Sequence, residues 1–143
     1  MGAHVFPFWK GVTDEQCDRL PGFWNDCKAW GNWMAERGRH EDVMRAHRLL
    51  KVDAVTTCRT AGMDDAAVLW VAPHALASDA LWLRHLVTTS APGTRRIVET
   101  YALHANGVES PEHELGQDLL DVAAIARYAA QLAVPMMTLQ VEW

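Results

Sequence analysis

The sequence predicts an α+β fold: a single domain over residues 1–143, with a helical first third followed by a mixed sheet of about four strands and two further packed helices. Three observations lead there. Helical signals crowd the first 50 residues, short β-branched or apolar runs follow them, and the last two of those runs alternate with polar residues as a sheet with one open face does. A parallel α/β sheet is the alternative, but its strands would be apolar throughout. The chain's 143 residues suit one domain with a core of its own.

Thr13-Asp14-Glu15-Gln16 is a capping box, in which the Thr13 hydroxyl accepts from the Gln16 amide and the Gln16 side chain reaches back. A helix begins there and Pro21-Gly22 punctuates it. In the next helix Phe23, Cys27, Trp30 and Met34 fall at i, i+4, i+7 and i+11, one buried stripe that Gly38 is placed to end. A third helical stretch runs from Glu41 to Leu50, with Val43, His47 and Leu50 on one side.

Val52–Cys58 is short and β-branched, and Arg59–Asp65, containing Gly62, reads as a turn. Ala66–Ala72 is a continuous apolar run stopped by Pro73, as in a strand covered on both faces. Leu76, Ala80, Leu83 and Val87 have helical spacing, and Pro92-Gly93 turns the chain. Thr94–Ala105 reads as a longer strand with Ile97, Tyr101 and Leu103 on one face, closed by Asn106-Gly107. Ser110-Pro111-Glu112 then supplies a cap residue, a proline at the first helical position and acids in the first turn. Leu115, Leu119, Val122, Ala126, Ala129 and Ala133 line one side of that helix until Pro135. Met137, Leu139, Val141 and Trp143 alternate with polar residues in a half-buried final strand.

Composition narrows the function. Half the residues are apolar and 22% are charged, as in an ordinary globular protein, and the net charge is −5. That balance argues against nucleic acid as a partner, because phosphate binding depends on Lys and Arg. Residues 1–60 carry a net charge of +1 and residues 61–143 carry −6. The acidity is densest at Glu109, Glu112, Glu114, Asp118 and Asp121, which serve a helix start and also offer a surface to a basic protein partner.

Cys17, Cys27 and Cys58 are an odd number without short pairing, which fits free, buried thiols in a reducing compartment. Residues 1–10 lack the pattern of a secretory signal. Leu119–Val134 is interrupted by Asp121, Arg127 and Gln131, and it is shorter than the roughly 20 residues that cross a bilayer. The expected location is cytoplasmic, without a membrane partner.

Motifs for common chemistries are missing. No Gly-x-Gly, Gly-Lys-Ser/Thr or Gly-x-Ser-x-Gly occurs. His40-Glu41 and His113-Glu114 each begin a zinc-helix motif, but Met44 and Gln117 stand where the second His belongs. No metal or other cofactor is expected. Single residues remain as catalytic candidates. Glu99 falls between Ile97 and Tyr101 on the face that reads as buried, His104 ends the same stretch, and Asp53 could join them in an acid–base pocket. The blander account is a buried Glu99 held by Arg95, Arg96 or a threonine of a neighbouring strand.

The last signal is seven Trp against three Phe and two Tyr. Trp24 and Trp33 lie about 120° and 60° around the helix from Trp30, so one narrow stripe does not bury all three. A second packed element would cover the excess; otherwise Trp24 and Trp33 are interface anchors. With Glu112, Glu114 and Asp118 they define the expected protein-binding surface. The leading expectation is a non-enzymatic protein-binding chain: an inhibitor or immunity-type protein of a mobile element, or an assembly subunit, with self-association compatible. The alternative is a small enzyme or small-molecule-binding domain using Glu99, Asp53 and His residues.

Overall fold

The computed structural model describes residues 4–20, 41–52, 55, 58–59, 62–105 and 109–142. Within these, helix and strand are mixed as expected, but the sheet is smaller. Its long strands are β1 (His4–Lys10) and β3 (Met136–Glu142), with a two-residue β2 (Cys58–Arg59), in the order β1-β3-β2. β1 pairs antiparallel with β3, matching Val5 to Val141 and Trp9 to Met137, and β2 pairs parallel at Cys58 and Leu139. Pro7 has no N–H to donate and is tolerated because β1 is an edge strand.

β3 corrects an expectation. Its alternation predicts one open face, yet Met137 through Val141 are all buried, with Thr138 only 1% exposed. A central strand has neighbours on both edges, and both of its faces are covered here. Val5, Met137, Leu139 and Val141 join the main core on one side. Thr138 and Gln140 lie opposite Phe8 and Phe6 on the other. There the Arg59 guanidinium stacks 4.4 Å from the Phe8 ring and pairs with Asp65, and Trp70 sits 5.9 Å from Phe8.

Five helices accompany the sheet among the described residues: α1 (Asp14–Arg19), α2 (Glu41–Ala46), α3 (Pro73–Thr88), α4 (Thr94–His104) and α5 (Pro111–Gln131). The capping box forms as read, and the Gln16 side chain also donates to the Leu132 carbonyl at 2.8 Å, tying α1 to the end of α5. α3 buries Leu76, Ala80, Leu83 and Val87 as predicted, and Pro73 begins it. α5 buries Leu115, Leu119, Val122, Ala126 and Ala129, whereas Ala133 lies exposed beyond its end.

α3 and α5 form the antiparallel pair on which the core is built. Buried Gly116 near the start of α5 faces Thr88 and Arg84 at the end of α3. Among the described residues no helix is long and apolar enough to cross a membrane.

Two predicted strands are absent. Ala66–Ala72 makes a 3-10 turn at Asp65–Ala67, capped by Asp64, and then a single bridge from Val71 to Met137. Thr94–Ala105 is helix α4, burying Thr94, Ile97, Val98 and Tyr101 at i, i+3, i+4 and i+7. Leu103, expected on the buried face, is 76% exposed. The third helix is also shorter than expected, since α2 stops at Ala46 and leaves His47 exposed. Of the run Val52–Cys58, only Cys58 enters a strand among the described residues.

Three helix ends share one geometry that no glycine announces. Arg48, Ser90 and Ala133 have φ of 54°, 54° and 57°. In each case the next residue's amide reaches back to close the turn: Leu49 to Met44, Ala91 to Leu86 and Val134 to Ala129. These are Schellman motifs with a side chain at the left-handed position, where glycine is usual.

Candidate functional site

A cleft of about 360 Å³ opens where the end of α3 meets the starts of α4 and α5. Val87 comes from the last turns of α3 and Ser90 from the turn after it. Thr94, Arg95, Val98 and Glu99 come from α4, and Glu112 from the first turn of α5. Each is placed by a local rule. Gly93, at φ 88°, redirects the chain into α4, and the Thr94 hydroxyl donates to the Ala91 carbonyl at 2.6 Å. Pro111 starts α5 and puts Glu112 among the free amides of its first turn.

Glu99 is therefore not the inward carboxylate the strand reading implied. It is exposed, and its Oε1 accepts from Arg95 Nε at 2.9 Å across one helical turn. Both side chains are more than 60% exposed, and a surface pair of this kind contributes little to stability. Arg95 is the partner that the blander account named, but the pair lies on a solvated helix face and Glu99 is not buried as that account required.

The structure brings Glu99 and Glu112 to the same cleft and leaves Glu114 exposed on the same turn of α5 as Glu112. Neither Glu112 nor Glu114 makes an ion pair among the described residues. Asp118 does not belong to this surface. It is 1% exposed and accepts a 2.5 Å hydrogen bond from the Tyr101 hydroxyl, joining α4 to α5. Burial pushes the Asp121 carboxyl, one turn further along α5, above its ordinary 3.8.

His104 is five residues beyond Glu99 on α4, about 140° around the helix and about 7.5 Å along it, so the two do not converge. Asp53, Trp24 and Trp33 lie outside the described residues, as do Trp30, Trp143, Cys27 and Asn106. Trp9, Trp70 and Trp82 are all half-buried packing residues. Trp70 donates to the Asp65 carbonyl, and Lys51 stands 4.6 Å over the Trp82 ring. Cys17, expected to be buried, is exposed.

Chemically, the cleft offers two carboxylates, one already bridged to an arginine, two hydroxyl side chains and two valines. No group of three or more His, Cys, Asp or Glu side chains is placed to hold a metal ion among the described residues. The reading of single residues overlooked Ser90 and Thr94. The signal for both was the Pro92-Gly93 turn, which had to bring its flanks together. No protein-family model, curated protein or solved structure matches this chain.

Proposed function

We propose that this chain is a non-enzymatic binding protein that receives a basic segment of a protein partner at the α4–α5 end of the molecule. The observation that carries the reading is the shared cleft of Glu99 and Glu112, with Glu114 exposed beside it in the half of the chain that bears a net −6. A lysine or arginine head would meet the carboxylates while its methylene stem lies along Val87 and Val98. Complementary charge of this kind sets partner choice and association rate, and so makes the complex salt-sensitive. An inhibitor or an assembly subunit fits this description.

Affinity capture from the native cell tests it, with the wild type beside a Glu99→Gln/Glu112→Gln/Glu114→Gln variant. All three side chains are exposed, so the melting temperature should stay within about 1–2 °C. The partner that salt elutes from the wild type should be missing from the variant. Equal capture by both overturns the reading.

A second reading, a small enzyme or ligand-binding domain using Glu99, is favoured by the cleft's volume, which falls within the range of small-molecule sites. The single variant Glu99→Gln separates the two. It abolishes ligand binding or turnover under the second reading, but leaves Glu112 and Glu114 to hold most of the partner under the first.

A further inference from the structure

A second groove, of about 430 Å³, lies at the opposite end of the α3–α5 pair. Ala77, Leu81 and Ala130 form its apolar part, and His74, Ser78, Arg127 and Gln131 bring polar groups to it. Two features bear on what it could hold. First, no carboxylate lines it, although residues 61–143 hold ten Asp and Glu against four Arg and no Lys. Second, its polar side chains are uncommitted: among the described residues His74, Ser78, Arg127 and Gln131 make no side-chain hydrogen bond or ion pair to another part of the chain.

We infer that this groove binds a small carboxylate carrying an apolar chain. An exposed guanidinium presents paired N–H donors that match the two oxygens of a carboxylate, the geometry in which arginine binds most specifically. Ser78 and Gln131 supply neutral donors beside it, and His74 adds an imidazole N–H. Leu81 and the alanine floor take the chain, because small side chains leave the depression that a methylene run fills. Neither Glu99 nor Glu112 takes part, so the inference stands apart from the function proposed above.

Octanoate serves as the probe, followed by amide chemical shifts in the intact chain. The expected result is a saturable shift centred on residues 74, 78, 127 and 131. Octanol, which lacks the charge, should bind at least tenfold more weakly, and so should octanoate to Arg127→Gln. Because Arg127 is exposed, that variant keeps its fold, which an unchanged melting temperature verifies. Ala130→Trp, also at an exposed position, should block the groove and remove the shift. Equal binding of octanol and octanoate overturns the inference. So does undiminished binding by Arg127→Gln, a shift centred elsewhere, or no saturable shift.

Discussion

The two ends of the α3–α5 pair carry opposite chemistry on one scaffold. At one end Glu112 of α5 lines a cleft with Glu99 of α4; about 22 Å along α5, Arg127 lines a groove with His74 of α3. Part of this contrast is ordinary helix electrostatics, since acids suit a helix start and a base suits the last turns. A helix end alone therefore says little about function. What distinguishes the ends is the neighbour brought to each, a carboxylate in one case and an imidazole in the other, and that choice belongs to packing.

The contrast presumes that both clefts are ends of one packed unit. Leu119→Ala tests this most severely, because Leu119 is fully buried midway along α5. The expected cost is about 3 kcal/mol. Chemical denaturation followed at both ends should give one transition shifted to lower denaturant; two separate transitions would show that the ends are independent.

Smaller effects separate the ends. Gly93, at φ 88°, borders the acidic cleft, and a Cβ there would lie 2.5 Å from the His47 ring. Gly93→Ala should cost about 2 kcal/mol, from left-handed strain and from displacing His47. Amide shifts should change around Ser90, Thr94 and Glu99 and stay put around Arg127. At the other end Ala133 already occupies a left-handed position, at φ 57°, just beyond Gln131. Ala133→Gly should relieve the strain and stabilise the chain by about 1 kcal/mol. Thermal melts of both variants test the pair; a destabilised Ala133→Gly protein would mean that the Ala133 methyl makes contacts worth more than the strain.

These glycine and alanine positions also show what could be read in advance. Pro92-Gly93 is legible as a turn because the residue type itself announces the backbone. Arg48, Ser90 and Ala133 adopt left-handed backbone without that announcement, so the ends of α2, α3 and α5 were blurred. The position of Glu99 is ambiguous in the sequence for a related reason. Ile97 and Tyr101 satisfy both a period of two and a period of 3.6, and Leu103 tipped the reading toward a strand. Thr94 and Val98, buried with them, settle the helix, and Leu103 turns outward. The apolar run before Pro73 was ambiguous in the same way, since a short unbroken run carries no period. β1 drew no expectation at all, because an edge strand holding Pro7 is recognised only by the partner it pairs with.

Local sequence specifies the capping box at Thr13, the start of α5, the stripes that α3 and α5 bury, and the acidic bias of the second half. Each depends on residues within a few positions of one another, where hydrogen-bond reach and helical period decide the outcome. Only the tertiary structure decided that β3 is buried on both faces, that Asp118 turns inward to Tyr101, and that Glu99 and Glu112 share a cleft. Those depend on which faces dock, and docking is set by the burial of the whole apolar surface at once.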